Sequence, residues 1–228
     1  MRKTFSKIDR STRKRDSICL VIVTLLLVLT PINTDISPFH MAIMGFTLGL
    51  AILIPYFIYR NDKLAKIHFH FKLDSGWTKQ KYAYILLAAI IGYLVFPFYF
   101  ATTEAYLNWP NPENNIQILL LFIGTNALGI WDELFFVNTL LGIFRRYMSF
   151  WNANILQSIL WTVFLYELGF TGWIAPLIFI FALVQGYTFR LFHSLGFLIA
   201  VHLVIDFMLF LAILDAHGVL TTNLFLTN

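Results

Sequence analysis

The stretch IQILLLFIGTNALGIWDELFFVNTLLGIF, residues 116–144, is apolar for longer than the roughly 20 residues an α-helix needs to cross a bilayer, and it carries two adjacent acids, Asp132 and Glu133. Placing an ionisable group in hydrocarbon costs at least about 2.5 to 3.5 kcal/mol, so a segment that keeps two has a use for them or a partner that offsets them. Six further apolar runs surround it: about Ile18 to Ile32, Phe39 to Tyr59, Tyr82 to Ala101, Phe150 to Leu165, Trp173 to Phe192 and Leu195 to Leu214. With 59% hydrophobic and 12% charged residues in 228, and a mean hydropathy of +0.74, the chain has too little polar surface to coat a water-soluble globule. The expected fold class is all-α, a polytopic transmembrane helical bundle of about seven spans. Its first run is shortened by Pro31 and Pro38, and its fourth is long enough to tilt, protrude or kink near Gly124 or Gly129.

Charge sets the orientation. The sixteen Lys and Arg residues fall in an N-terminal arm (Arg2, Lys3, Lys7, Arg10, Arg13, Lys14, Arg15), in the loop after the second run (Arg60, Lys63, Lys66, Lys72, Lys79, Lys81), at Arg145 and Arg146, and at Arg190. All lie on one side of a seven-span bundle, which predicts a cytoplasmic N-terminus. The expected organisation is a basic cytoplasmic arm over residues 1–16, then a single transmembrane domain over 17–228. The net charge of +4 is therefore a topology signal and an attraction to anionic lipid headgroups, with no nucleic-acid partner expected. No small-residue cleavage site follows Thr30, so the first run reads as an uncleaved anchor. One cysteine, Cys19, excludes an internal disulfide and a cysteine metal cluster. Trp77, Trp109, Trp151 and Trp173 lie near run ends, as interfacial anchors do.

The last run adds His202 and Asp206, four residues apart and so on one helix face. At 1.5 Å per residue, Glu133 lies roughly 16 Å and His202 roughly 12 Å from the cytoplasmic ends of their helices, a matched depth. Adjacent residues on a helix diverge by about 100°, so one of Asp132 and Glu133 is expected to face the cavity and the other a neighbouring helix. A carboxylate beside an imidazole can activate water. The plainer reading, polar groups that only hold helices together, suits Gln157, Gln185, Asn126 and Asn138 better. His68 and His70 offer two imidazoles on one side of an extended segment but no third metal ligand; lying on the headgroups explains them as well.

Trp131-Asp132-Glu133-Leu134-Phe135-Phe136-Val137-Asn138 resembles the E-E-x-x-x-R motif, commonly E-E-x-x-F-R-G, of the CPBP family, the CAAX-processing and bacteriocin-immunity (Abi) intramembrane endopeptidases. The stretch from Gly186 to the sequence His202-Leu203-Val204-Ile205-Asp206 is similar to the family's closing segment, which ends in H-x-x-x-N or a variant with Asp. Between them, Trp161 and Leu165 fall where the family has F-x-x-x-H. The likeness covers residues 116–207. It implies a helical bundle with a cavity open toward the cytoplasm that cleaves peptide bonds near the membrane surface. By position it implies Asp132 as the base, Glu133 as its supporting acid, and His202 with Asp206 as the pair that steadies the oxyanion or positions water. It requires no cofactor; were zinc used, Glu133, His202 and Asp206 would be its ligands.

This chain departs from the pattern. Asp132 replaces the first Glu, Val137 the Arg, Asn138 the Gly and Leu165 the middle His. Three functions follow for comparison: an endopeptidase with a divergent site, acting on a membrane-associated peptide or protein; a catalytically inactive relative acting as a membrane binding or immunity protein; and a proton-coupled transporter, against which the chain shows no internal repeat. The expected location is the plasma (inner) membrane of a bacterium, among membrane lipids.

Overall fold

A computed structural model describes residues 10–62, 66–72, 76–220 and 224–226. Arg2, Lys3, Lys7 and Lys63, used above for orientation, lie outside the described residues. Each apolar run folds as a helix: α1 Arg10–Leu29, α2 Pro38–Tyr59, α3 Lys79–Thr103, α4 Asn115–Phe144, α5 Phe150–Glu167, α6 Ile174–Phe192 and α7 Leu195–Ala216. Among the described residues, α2, α3, α4, α6 and α7 are long and apolar enough to cross a membrane. The chain is an integral membrane protein. Helix α1 begins inside the basic arm, continues past residue 16, and stops before Pro31, which cannot donate the next backbone hydrogen bond.

Local chemistry starts the helices that matter most. The Asn114 side chain accepts from the amides of Ile116 and Gln117, both at 3.0 Å, and so opens α4. Ser149 caps α5, and Ser194 caps α7 by accepting from the Phe197 amide at 3.2 Å. The Ser194 hydroxyl also donates to the Phe71 carbonyl at 3.1 Å, while the Leu195 amide donates to the His70 carbonyl at 2.8 Å. Residues 66–72 thus form a strap pinned by its backbone to the start of α7, with Ile67 buried against Cys19, Tyr59 and Ile143. Gly196 allows the approach, because a Cβ there would strike the Phe71 carbonyl. The pair His68 and His70 sits exposed on this strap.

The length of α4 is absorbed by a π-helical segment, Glu133–Leu140, rather than at Gly124 or Gly129, which stay in regular α-helix. Such widened turns are frequent at functional sites. Helix α7 is apolar on every side except for the face that carries His202 and Asp206, as a helix buried within a bundle should be, and it packs against both α3 and α4. Helix α5 packs on α6 through Asn154 and Gln157: the Gln157 amide donates to Asn154 Oδ1 at 2.9 Å and to the Ala182 carbonyl at 3.1 Å. Gly186 is required there, since a Cβ would collide with Asn154 Oδ1.

The described cations gather at the end of the bundle where α1 starts and α4 stops. Asp16, 1% exposed, accepts from Tyr59 Oη at 2.8 Å, Arg146 Nη1 at 2.9 Å and Tyr147 Oη at 2.7 Å. Arg146 lies 4.3 Å from the Tyr59 ring centroid, and Arg15 pairs with Asp62 at 2.5 Å. Arg145 and Arg190 both stand over the Phe150 ring. Trp77, Trp151 and Trp173 are partly exposed near helix ends, as anchors are, but Trp109 is buried at 6% exposure and is no interfacial anchor. It fills the opposite end of the bundle, against Phe170.

Candidate active site

The acids of α4 and the imidazole of α7 meet. Glu133, fully buried, brings Oε1 to 3.0 Å from His202 Nδ1. The other ring nitrogen, Nε2, lies 3.6 Å from Asp206 Oδ1 and 4.0 Å from Asp132 Oδ2. The crossing is close because position 129 is glycine: a Cβ there would collide with the Asp206 carboxylate and press on His202. Behind the imidazole stand Trp161, with ring centroids 5.6 Å apart, and Phe181, edge-on at 5.2 Å. Trp161 stacks at 8° on Phe136 of the π-helical segment, and Trp131 stacks at 14° on Phe135. The Trp131 indole donates to the Leu48 carbonyl at 2.7 Å, which ties this aromatic wall to α2.

The two adjacent acids part company. Asp132 lines a cavity of about 430 Å³, together with His202 and Asp206, whereas Glu133 turns between α6 and α7. There Gln185 Nε2 donates to Glu133 Oε1 at 2.6 Å. Gln185, expected to hold helices together, does join α6 to α4; what its amide, like that of Gln157, did not reveal in sequence is that its partner is Glu133. Gln157 does join helices, while the Asn126 amide donates to its own helix at Phe122. Leu165, standing where the family has its middle His, lines the same cavity, and Val137, where the family has Arg, is wholly buried.

Among the described residues, Asp132 Oδ1, Glu133 Oε2, Asp206 Oδ2 and the Trp161 indole nitrogen are buried without a protein hydrogen-bond partner. A buried donor or acceptor left in this way costs roughly 1 to 3 kcal/mol, so three carboxylate oxygens and one indole N–H around one imidazole mark a place where polar matter is handled. A metal does not suit the expected ligands. Glu133 and Asp206 address opposite nitrogens of one imidazole, so a single ion cannot take all three, and no group of three His, Cys, Asp or Glu among the described residues is arranged to hold one.

The cavity runs from Tyr84 and Val184, level with the acids, to Trp109 and Phe170 at the end of the bundle away from the arginines. A cavity open toward the cytoplasm was the expectation. At the cationic end, however, the strap covers the start of α7 and the Asn154–Gln157 contacts draw α5 onto α6, so the open volume lies on the other side of the acids.

Residues 113–208 match the family described as Rce1-like, type II CAAX prenyl endopeptidase. The matched segment runs from just before α4 to the middle of α7 and contains Asp132, Glu133, Gln185, His202 and Asp206. The resemblance drawn from residues 131–138 and 186–206 is borne out over this Rce1-like segment, which supports a relation to the CAAX-type intramembrane proteases. Helices α1 to α3 lie outside it. No curated protein and no solved structure matches the chain.

Proposed function

We propose that the protein is an intramembrane endopeptidase of the CAAX protease-like type, acting on a membrane-associated peptide or protein without a metal. The observation that carries this reading is the contact of Glu133 with His202 Nδ1 beside a cavity into which Asp132 and Asp206 face. Asp132 takes a proton from a water, whose oxygen attacks the peptide carbonyl carbon. Glu133, held by Gln185, orients the imidazole through Nδ1 and leaves Nε2 to the reacting side; a proton on Nε2 makes the ring a donor to the oxyanion. Asp206 steadies that nitrogen from the same helix face. On collapse the C–N bond breaks, and Asp132 returns its proton to the leaving amine. The positive-inside rule puts the arginine-bearing end, and the N-terminal side of α1, in the cytoplasm, with the plasma membrane of a bacterium as the setting.

The test is cleavage of tagged membrane peptides by the purified protein, with and without chelator, beside Asp132→Asn and Glu133→Gln. Cleavage that survives chelator and is lost in both variants supports the mechanism; loss on chelation overturns its metal-free form. One observation favours a second reading, a non-catalytic relative that binds a peptide or partner membrane protein: Leu165 offers the cavity no imidazole. Binding of the same peptides with no hydrolysis by the unaltered protein selects that reading.

A further inference from the structure

The cavity beside the acids is lopsided in its chemistry. Its long wall is apolar, built from small or aliphatic residues of α3 such as Ala88, Ile91 and Gly92, and from Leu177, Ile178 and Phe181 of α6. Its inner end carries Asp132 and Asp206, 1% and 7% exposed, each with a carboxylate oxygen lacking a protein partner among the described residues. Among the described residues no Lys or Arg lines it, and the basic side chain that does is the His202 imidazole, which Glu133 already shares. Along its flank α3 and α6 meet at their ends, through Tyr84 Oη and Thr188 Oγ1 at 3.3 Å on one side and Phe98 and Tyr99 against Trp173 on the other, and the lining residues between, Leu87, Ile91 and Ile180, are each about half exposed, so the volume communicates sideways with lipid. From Val184 to Ile174 the lined stretch of α6 is about 15 Å long.

We propose that this cavity binds a single-chain amphiphile with a cationic head, an alkylammonium, whose chain lies along the α3 and α6 wall and whose ammonium meets Asp132 and Asp206. Charge complementarity selects the head. A carboxylate head would be placed against two acids, and an alcohol brings one donor, whereas an ammonium brings three donors and a charge to carboxylate oxygens in a low-dielectric site. The apolar wall selects the tail, and the gap between α3 and α6 lets it arrive from the bilayer without crossing water. The site is shared with the proposed hydrolysis, but the claim concerns binding and needs no turnover.

The experiment is calorimetric titration of the whole protein in phosphatidylcholine nanodiscs, with empty nanodiscs subtracted, using dodecylammonium, dodecanol and dodecanoate. Dodecylammonium is expected to saturate one site at least about tenfold more tightly than dodecanol, the size of one charge-assisted hydrogen bond, and dodecanoate should not compete. Asp206→Asn should bring the ammonium down to the level of the alcohol. Ala88→Phe fills the wall from inside and Val184→Trp fills it from the lipid-facing flank, where the residue is 40% exposed and the fold tolerates bulk; each should abolish binding of both. Equal affinity for ammonium and alcohol, or ammonium binding unchanged in Val184→Trp, would overturn the proposal. A protein that binds dodecylammonium but cleaves nothing removes the enzyme reading alone, and one that cleaves peptides but ignores dodecylammonium removes this inference alone.

Discussion

Asp16 and Asp132 are equally buried, at 1% exposure, and one end of the molecule treats its carboxylate in the opposite way from the middle. Around Asp16, two tyrosine hydroxyls and the Arg146 guanidinium donate to it, so its charge is paired and its oxygens are used. Asp132 has an imidazole nitrogen at 4.0 Å and the Trp161 indole nearby, and one of its oxygens has no hydrogen-bond partner among the described residues. Burial is common to both; satisfaction separates them. A carboxylate with both oxygens engaged joins α1 to α2 and to the turn after α4. An unsaturated one, facing a cavity, retains the capacity to take a proton or hold a donor, which is the property a catalytic acid needs.

The sharpest way to break this contrast is to neutralise each carboxylate in turn. Asp132→Asn should lower peptide cleavage by about 10² to 10⁴, the usual contribution of a general base, while leaving the unfolding midpoint unchanged, as read by denaturation in mixed micelles. Asp16→Ala should do the reverse. It removes the carboxylate that pairs with Arg146 and costs about 3 to 5 kcal/mol of stability by the same measurement, with cleavage per folded molecule unaltered. Should Asp16→Ala leave stability untouched, the knot is ornament and the comparison fails.

A smaller effect probes the close crossing. Gly129→Ala drives a methyl into the Asp206 carboxylate, and the expected loss is about 1 to 3 kcal/mol, the range for overpacking, accompanied by slower cleavage; Gly45→Ala, with open space around it, should change neither. The smallest concerns Tyr147, outside the spans. Burial, then its hydrogen bond to Asp16, push its hydroxyl up from the ordinary 10 to about 12. Because the folded state raises the value, this contribution to stability is complete below pH 10 and lost as pH rises through about 12. Absorbance titration should find Tyr147 ionising late in the unaltered protein and earlier in Asp16→Asn.

Much of the architecture was readable from residue order. Helix number, and the placement of Asp132, Glu133, His202 and Asp206 at one depth, follow from hydropathy and rise per residue, because the bilayer fixes how long a helix must be. The pairing of His202 with Asp206 on one face follows from helical periodicity, a local property. Other features were not readable. Gln185 and Gln157 are both buried amides in apolar helices, yet one holds Glu133 across 52 residues of sequence and the other holds a helix contact. Trp109, placed by position among the interfacial anchors, is instead packed inside.

By itself the sequence determined a multi-span helical bundle, its charged end and the four ionisable residues it buries, since those depend on composition and on spacing along one helix. Tertiary structure alone decided which acid faces the cavity, which end the cavity extends toward, and that a π-helical turn follows Asp132. Those outcomes depend on how helices distant in sequence pack, as in the contact of Glu133 with His202, 69 residues apart, and packing is a property of pairs of surfaces that no single helix encodes.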